Sequence, residues 1–259
     1  MITVKSIGYH FLNFTIDVQR PSGSGDFLFL FFRNETEVFL ENKYQKVPEN
    51  TFMLFKKGMP QIYRKLDGAF INDWIHFDIE PYEDFFEKLD IPFNTPIKLS
   101  DSKIITDLIG DLHVEFFNAG KQHETIMHQK TSVLFHKFSD VYRFTKNSGQ
   151  TAGKYYSKLN TIRSRLLSYQ YVPQDAKEIA KTLNISISYL QHIYKGFFGV
   201  SLQQDIISGR IACAKHLLTS SDMTITEISK VCGYENLEHF SRQFKKHTGS
   251  SPKEYRIKE

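Results

Sequence analysis

The sequence is short of the residues and segments that mark several classes of protein. It has 2 cysteines in 259 residues, too few for a disulfide framework and without the paired spacing of a zinc site. Its longest unbroken apolar run is Phe27–Phe32, far below the ~20 residues of a membrane-spanning helix. The first twenty residues lack the charged start and apolar core of a secretory signal. We therefore expect a cytoplasmic protein without membrane contact, in which Cys213 and Cys232 are reduced core thiols.

Composition and charge indicate two domains with different partners. A composition of 41% hydrophobic and 24% charged residues is typical of soluble globular proteins, and the length suits two hydrophobic cores. Residues 151–259 hold 16 Lys and Arg against 9 Asp and Glu, a net charge of +7. Residues 1–150 hold 17 against 20, a net charge of −3. The positive C-terminal part indicates a polyanionic partner for that part alone.

Short β-forming runs fill the N-terminal part from Phe11 to about Pro81. Turn signals separate them about every 8–10 residues. The runs are "DFLFLFF", "TEVFLE", "TFMLF", "QIYRK" and "FINDWIHFDI". They have the length of strands and are rich in aromatic and aliphatic β-formers. Regular spacing of short strands predicts a barrel or a sandwich, not alternating βαβ units.

The hydrophobic period then changes to that of a helix. Residues 100–118 and 124–142 each place apolar side chains along one helical stripe, which predicts two helices joined as a hairpin. Residues 143–154 are polar, contain glycine and lack periodicity, which is typical of a linker. The expected organisation is a first domain over residues 1–142, a linker over 143–154 and a second domain over 155–259.

Two segments near the C-terminus repeat each other fifty residues apart. They are "ISYLQHIYKGFFG", Ile187–Gly199, and "LEHFSRQFKKHTG", Leu237–Gly249. Each follows a short segment with capping-box spacing, opening at Asp175 or at Thr224 with a glutamate three positions later. A repeated unit of capped helix, tight turn and amphipathic helix predicts an all-α domain with two helix-turn-helix motifs.

Each repeated helix has a polar side suited to nucleic acid. In the first, Ser188, Gln191, His192 and Lys195 share the face opposite to the apolar one. Such side chains bond to base edges or phosphates in a major groove. The sequence therefore favours double-stranded DNA as the polyanionic partner.

The segment Arg210–Arg256 resembles the C-terminal signature of AraC-type transcription regulators. The matching residues are Arg210, Ala214, Leu217, Leu218, Ile225, Ile228, Gly233, Tyr234, Phe240, Ser241, Arg242, Phe244, Lys245, Gly249, Pro252, Tyr255 and Arg256. "LNISISYLQHIYKGFFGVS" resembles the family's first module, so the likeness covers roughly Leu159 to Arg256. It implies seven helices, with a long helix near Leu202–Leu218 joining two units whose recognition helices enter successive major-groove faces.

The resemblance also implies which residues read DNA. In the first module these are Ser188, Gln191 and His192, followed by Lys195. The second module supplies Leu237, Glu238, His239, Arg242, Lys245 and Lys246. The chain departs from the family at His239, where Tyr is usual, at Leu237 and Glu238, where small or polar residues are commoner, and at Asp205, where an aromatic is common.

A weaker resemblance concerns the N-terminal part. "DVQRPSG" and "NDWIHF" are similar to segments of the sugar-responsive branch of the family. The likeness implies a cupin-like barrel that binds a small effector and dimerises through the helices that follow. The implied effector site consists of Arg20, Tyr63, Asn72, Trp74 and His76. An aromatic face beside guanidinium and amide groups suits a sugar, and the last three residues alternate along one strand face.

Together these patterns predict a dimeric, non-enzymatic transcription regulator, an effector-responsive activator of carbohydrate-utilisation genes. Its expected partners are double-stranded DNA, a small effector, a second copy of the chain and possible contact with RNA polymerase; no cofactor or metal is expected. One alternative is a regulator that is independent of an effector or controlled by a protein partner.

The other alternative is a metal-dependent cupin enzyme fused to a DNA-binding tail. Against it, the strand region contains only His10 and His76 as histidines, and Gln61 stands where many barrels carry His. His123 and His128 in "HETIMH" are five residues apart, about 140° around a helix, whereas the zinc protease motif needs a spacing of four.

Overall fold

The computed structural model describes residues 1–13, 17–66, 68–80, 83–99, 101–118, 120–148, 153–168 and 175–258. The chain divides into two compact units, Met1–Lys154 and Tyr155–Glu259. Among the described residues, no helix combines the length and apolar character needed to cross a bilayer.

The N-terminal unit begins with strands that pair into two antiparallel sheets. The strands are β1 (Ile2–Asn13), β2 (Asp17–Arg20), β3 (Phe27–Phe32), β4 (Thr36–Leu40), β5 (Lys43–Val47), β6 (Thr51–Phe55), β7 (Gln61–Lys65), β8 (Phe70–Ile79) and β9 (Ile97–Lys98). One sheet has the order β1-β8-β3-β6-β9 and the other the order β2-β7-β4-β5. No ladder between described strands joins the two sheets. The predicted barrel is therefore not closed, and the strands form two sheets that share a core.

Apolar side chains from both sheets meet in that core. The first sheet contributes Leu28, Leu30, Phe32, Met53, Phe55 and Phe70, and the second contributes Val38, Val47 and Tyr63. Alternation along each strand sends every second side chain to this side. Burial of these residues, at about 1.5–3 kcal/mol for a large apolar side chain, holds the two sheets together.

The N-terminal unit also has three described helices: α1 (Glu83–Leu89), which lies between β8 and β9, and α2 (Lys103–Phe116) and α3 (His123–Ser148), which follow β9. All residues of β3 are buried. One face of the strand lies in the core between the two sheets, and these helices cover the other face. The Phe29 ring lies 5.4 Å from Phe135 and 5.1 Å from Phe138 of α3. The "DFLFLFF" run is thus a strand buried on both sides, which explains why it lacks the polar alternation of a half-exposed strand.

The predicted helical hairpin is present, since α2 packs on α3, but α3 is longer than expected. It continues to Ser148 because Phe144 and Thr145 are buried and extend its apolar side. Residues 143–148, which the sequence analysis assigned to the linker, are therefore helical. Residues 149–152 of the expected linker lie outside the described part of the chain.

A buried ion pair shapes the junction of β1 and β8. Asp73 is fully buried and accepts hydrogen bonds from Arg33 Nε at 2.9 Å and from Arg33 Nη2 at 2.6 Å. The same carboxylate accepts from the backbone N–H of His10 at 2.7 Å, where β1 is irregular and His10 has φ of 50°. The irregularity shifts the register between Gly8 and Phe11, so it sets which side of the sheet the last residues of β1 occupy.

The C-terminal unit is helical in its described part. Its helices are α4 (Tyr156–Leu167), α5 (Ala176–Leu183), α6 (Ile187–Phe198), α7 (Leu202–Ser220), α8 (Ile225–Val231), α9 (Leu237–Thr248) and α10 (Pro252–Lys258). Both predicted N-caps are present. The Asp175 side chain accepts from Glu178 N at 2.8 Å, and Thr224 and Glu227 form a complete capping box.

The long helix α7 has no single apolar stripe because its two halves pack into different cores. Leu202 and Ile206 are buried in its first half, where α7 contacts α4 and α6. Ile211, Ala214 and Leu218 belong to the core formed with α8, α9 and α10. Cys213 and Cys232 are both free and buried in this second core, which confirms the predicted core thiols.

Candidate nucleic-acid interface and ligand cavity

The first candidate recognition helix, α6, has opposite apolar and polar sides. Ser186 caps its start, its hydroxyl accepting from Tyr189 N at 3.2 Å, and Gly199 ends it with φ of 71°. Its buried residues are Leu190, Ile193 and Tyr194. The four residues predicted to contact DNA are all exposed: Ser188, Gln191, His192 and Lys195. The helix therefore presents a continuous polar surface that no described part of its own unit covers.

The second candidate recognition helix, α9, has the same construction. The Asn236 carboxamide accepts from Glu238 N at 2.7 Å and from His239 N at 3.0 Å, and Gly249 ends the helix with φ of 82°. Phe240 and Phe244 are fully buried. The six predicted contact residues are all exposed: Leu237, Glu238, His239, Arg242, Lys245 and Lys246.

Each of these two helices begins with an exposed aliphatic residue. Ile187 is 41% exposed and Leu237 is 40% exposed, and the internal repeat places them at equivalent positions. The resemblance implied a role for Leu237 but not for Ile187, although the alignment of the two repeats gives the two residues the same position.

The turn before α9 depends on a glycine. Gly233 has φ of 79°, and a Cβ there would come within 3.2 Å of the Arg210 guanidinium. That guanidinium lies over the Tyr234 ring, 5.4 Å from its centroid. A side chain at position 233 would be strained in its backbone and would require the Arg210 guanidinium to shift by a few tenths of an ångström.

A buried carboxylate connects three helices of the first module. Asp205 of α7 is 7% exposed, and its Oδ2 accepts from Tyr194 Oη of α6 at 2.7 Å and from Arg163 Nε of α4 at 2.8 Å. Burial, together with the hydrogen bond to Asp205, raises the pKa of Tyr194 above its ordinary value. At a position where the resemblance implies that an aromatic residue is common, this chain has a charged one that connects α6, α4 and α7 by hydrogen bonds.

In the N-terminal unit, one cavity of about 380 Å³ is lined by all five residues predicted for the effector site. They are Arg20, Tyr63, Asn72, Trp74 and His76. The other lining residues are Ser6, Phe11, Asn13 and Val18. The volume is within the range of small-molecule sites. The fold thus brings the five residues together, while their contact with a ligand stays a prediction.

The end of the cavity at Arg20 is a hydrogen-bonded cluster. Arg20 Nη1 donates to Gln61 Oε1 at 3.2 Å and lies 3.4 Å from His76 Nε2. The other imidazole nitrogen, Nδ1, is 2.8 Å from Asp26 Oδ1. The buried Gln61 also donates to Ser24 Oγ at 2.9 Å. Arg20 and His76 are therefore oriented before any ligand binds.

The aromatic wall of the cavity depends on a glycine in the neighbouring strand. Gly8 pairs with Trp74 across β1 and β8, and a Cβ at Gly8 would lie 2.3 Å from Trp74 Nε1. The indole can lie against β1 only because that side chain is absent. Phe11 packs edge-on against it, with ring centroids 6.0 Å apart.

The innermost polar groups of the cavity are Asn72 and Tyr63. Asn72 is 2% exposed, and within the described chain its Oδ1 has no hydrogen-bond partner. Burial raises the pKa of Tyr63 to about 12, so its hydroxyl remains protonated at neutral pH. The Asn72 Oδ1 atom is thus shielded from solvent, at a position where an orphaned polar atom is costly.

The described residues contain no group of three His, Cys, Asp or Glu side chains placed to hold a metal ion. The Gln61 side chain is hydrogen-bonded to Arg20 and Ser24. His128, from the "HETIMH" stretch, uses its Nδ1 to accept a hydrogen bond from Ile2 N at 3.0 Å. Gln61 and His128, which the metal-enzyme alternative considered, thus form hydrogen bonds within the fold.

Comparisons with known proteins concern mainly the C-terminal unit. Residues 179–258 match a family model described as "Helix-turn-helix domain". The chain is 35% identical over 80 residues to the uncharacterized HTH-type transcriptional regulator YdiP of Escherichia coli (strain K12), which covers 31% of this chain and 26% of that protein. It is 29% identical over 148 residues to the arabinose operon regulatory protein of the same strain, covering 46% of this chain and 51% of that protein.

Among solved structures, the C-terminal domain of AraT, a response regulator from Geobacillus stearothermophilus, aligns with 39% of this chain and 84% of its own. The identity is 29% and the TM-score 0.35. This chain spans between about a quarter and a half of the length of the two curated relatives above. Residues 179–258 of the C-terminal unit are therefore a helix-turn-helix domain. Its likeness to part of the arabinose operon regulatory protein agrees with the AraC-type resemblance carried by the residues from Arg210 to Arg256.

The buried link through Asp205 predicts a local effect on stability. We expect Asp205→Ala to destabilise the C-terminal unit by about 2–4 kcal/mol, because the Tyr194 hydroxyl and the Arg163 guanidinium lose their acceptor. The single tryptophan, Trp74, lies in the other unit. Denaturant unfolding of the full chain should therefore show an earlier helical circular-dichroism transition and an unchanged Trp fluorescence transition.

The control is Asp222→Ala, which removes an exposed carboxylate and should change the free energy of unfolding by less than about 0.5 kcal/mol. Equal stability of the two variants would show that the buried hydrogen bonds contribute nothing to holding α6.

Proposed function

We propose that this chain is a non-enzymatic, sequence-specific transcription regulator that binds double-stranded DNA through α6 and α9. One observation carries the proposal: two helices of the same internal repeat each have a buried apolar side and an exposed polar side, and α7 connects them, since it contacts α6 and shares a core with α9. Helix-turn-helix proteins place the first residues of such helices against base edges in the major groove. The net charge of +7 on residues 151–259 supports attraction to the phosphate backbone.

The exposed side chains divide into base readers and phosphate contacts. Gln191 suits adenine, Arg242 suits guanine and Glu238 suits cytosine, by the hydrogen-bonding edges of those bases. Ser188, His192 and His239 add further donors or acceptors at the same surfaces. Lys195, Lys245 and Lys246 lie towards the ends of their helices and suit phosphate oxygens, which position the protein without reading sequence.

Ile187 and Leu237 suit a different feature of DNA. The thymine methyl group is the apolar element of the major groove, and aliphatic side chains recognise it by contact. Contact with thymine methyl groups would explain why an aliphatic residue is exposed at the start of both helices. We propose a thymine opposite each of them, one in each half of the operator.

Arg242→Ala should weaken binding to the preferred operator by roughly 1–3 kcal/mol and relax the choice of base at one position. The reason is the loss of a bidentate contact with guanine. The measurement is a titration of the full chain against the operator and its single-base variants. The operator itself is obtained by selection from a random duplex library.

Lys195→Ala is the matched control, since it also removes one exposed positive charge. It should weaken all sequences alike and reduce the salt slope of binding by about 1. If Arg242→Ala also weakens every sequence equally, Arg242 contacts phosphate and is not a base reader.

Leu237→Ala should remove sensitivity to one methyl group of the operator. Replacing the contacted thymine by deoxyuridine deletes only that methyl and should cost the unmodified protein about 0.8 kcal/mol. The variant should bind both duplexes equally, a result that a double-mutant cycle measures directly. Deoxyuridine outside the footprint is the control. A variant that remains as sensitive as the unmodified protein at every thymine would exclude the contact.

We further propose that the N-terminal unit is a cupin-like sensor and dimerisation domain, although its sheets are not closed into a barrel. The proposal is supported by the cavity lined by Arg20, Tyr63, Asn72, Trp74 and His76. Arabinose and xylose operon regulatory proteins are among the relatives, which supports regulation of carbohydrate-utilisation genes. Bound effector would favour one spacing of two DNA-binding domains over another through differential affinity for the two states.

The proposed dimer surface is the exposed apolar part of the α2–α3 hairpin. Val114, Phe117 and Val133 are large hydrophobic residues exposed there, and a surface of this kind suits a second copy of the chain. Activation would then require contact between the DNA-bound dimer and RNA polymerase. The competing possibility is control by a protein partner at this hairpin, with an unoccupied cavity.

Binding of an effector in the cavity should stabilise the folded chain. A ligand present at 100 times its dissociation constant should stabilise the chain by about 2.7 kcal/mol, visible as a higher melting temperature in a screen of small metabolites. Trp74→Ala should abolish the shift, because the indole forms the stacking wall. Val133→Ala, at the hairpin, should retain it. If no metabolite shifts melting or operator binding, partner control replaces the sensor proposal.

A further inference from the structure

A stretch of the chain without acidic residues includes the first helix of the C-terminal unit. Residues 141–174 contain no Asp or Glu, but they contain six Lys and Arg residues. Helix α4 lies within this stretch and carries three of the six: Lys158, Arg163 and Arg165. A local excess of positive charge of this kind attracts polyanions.

The three cations of α4 divide between its core side and its exposed side. Arg163 is partly buried and donates to Asp205 Oδ2 at 2.8 Å, so it belongs to the core of the unit. Lys158 and Arg165 are exposed and, in the described part of the chain, take part in no ion pair. With the exposed Thr161 between them they stand at i, i+3 and i+7. We call these three residues the basic stripe of α4.

The basic stripe lies on the side of α4 that faces the start of α6. The ring of Tyr155 lies 6.2 Å from that of Tyr189, in the first turn of α6. The ring of Tyr156 lies 5.0 Å from that of Phe197, near the end of α6. The backbone of Tyr155 is already helical, so at about 100° per residue the two cations of the stripe lie roughly 60–80° from it. Tyr156 lies about 100° from it in the opposite direction.

The start of α6 is the part that the proposed function places in the major groove. Ser188 precedes Tyr189 directly, and both Ser188 and Gln191 are among the proposed contacts with DNA. Phosphates line the walls of the groove that such a helix enters, and Lys and Arg side chains beside the groove are the usual contacts to them. The basic stripe is therefore continuous with the polar side of α6 and carries the charge that suits a phosphate backbone.

We propose that the basic stripe of α4 binds the DNA backbone beside the half-site read by α6. This inference rests on the proposed DNA-binding function and adds to it a third contact surface, outside both recognition helices. Lys158 and Arg165 would each neutralise a phosphate and would read no base, so they would raise the affinity for all sequences alike. An acidic protein partner would suit the same charges, but continuity with α6 favours DNA.

The test is a titration of the full chain with its operator and with a random duplex over a range of salt concentrations. Lys158→Gln combined with Arg165→Gln should weaken binding to both duplexes by the same factor, roughly tenfold to thirtyfold at about 0.15 M salt. The salt slope should fall by about 2. Both positions are exposed, so the melting temperature should stay unchanged.

Two further variants are the controls. Lys158→Arg combined with Arg165→Lys keeps both charges and should bind DNA as the unmodified chain does. Lys43→Gln combined with Lys46→Gln removes two exposed positive charges from β5 in the N-terminal unit and should leave the salt slope unchanged.

Methylphosphonates, which replace one charged phosphate by an uncharged group, locate the contacts. The half-site of α6 is the one at which Gln191→Ala relaxes the choice of base. Neutralising phosphates beside it should weaken binding by the unmodified chain and have no effect on the variant without the two cations. Phosphates contacted by Lys195, Lys245 or Lys246 should keep their effect on both proteins, as a double-mutant cycle between side chain and phosphate measures.

The remaining outcomes separate this inference from the proposal on which it rests. An unchanged salt slope in the variant would overturn the inference, and loss of transcriptional activation at unchanged operator affinity would assign the basic stripe to an acidic protein partner instead. Equal losses in the variant and in the β5 control would show an effect of net charge alone and would also overturn it. These results leave the proposed function intact while the unmodified chain prefers its operator to random DNA. Absence of that preference would overturn both.

Discussion

The arrangement of the C-terminal unit depends on one helix serving two cores. The 19 residues of α7 make a rod of about 28 Å, with α4 and α6 packed against one half and α8 and α10 against the other. Inserting a single residue in it would turn one module by about 100° relative to the other. Under the proposed function, exchange of exposed side chains on α6 and α9 would give new operator preferences, while the length of α7 has to stay constant.

Strand β8 serves two structural features of the N-terminal unit, as α7 serves two cores of the C-terminal unit. One side of it carries Asn72, Trp74 and His76 to the cavity, and the residue between the first two, Asp73, holds the buried ion pair with Arg33. The same carboxylate bonds to the irregular part of β1 through His10 N. The position of the cavity wall and the shape of its neighbouring strand are thus set by alternate residues of one strand.

Features that follow from local pattern were predictable from the sequence, and those that depend on distant pairing were not. Helical period, caps and the internal repeat identified α6 and α9 with their buried and exposed sides, since these are decided within a few residues. Whether the strands close into a barrel depends on partners up to about 70 residues away, so the pattern could only leave a barrel or a sandwich. The helical end of α3 was missed because tertiary burial of Phe144 overrides a polar neighbourhood. Asp205 departed from the family pattern, and the sequence could not name its partners Tyr194 and Arg163.

Strand β3 has a consequence for how the protein is made. Its six buried residues are apolar and contain no proline, a composition prone to cross-β stacking while uncovered. The aromatic residues of α3 that cover one of its faces, Phe135 and Phe138, are synthesised about 100 residues later, on the order of 5–20 s at the usual rate of translation. During that interval only the flanking charges Asp26 and Arg33 oppose self-association of the nascent segment. Synthesis of this chain therefore has to keep a six-residue strand from self-association on the ribosome, far along the chain from the surface proposed to meet DNA.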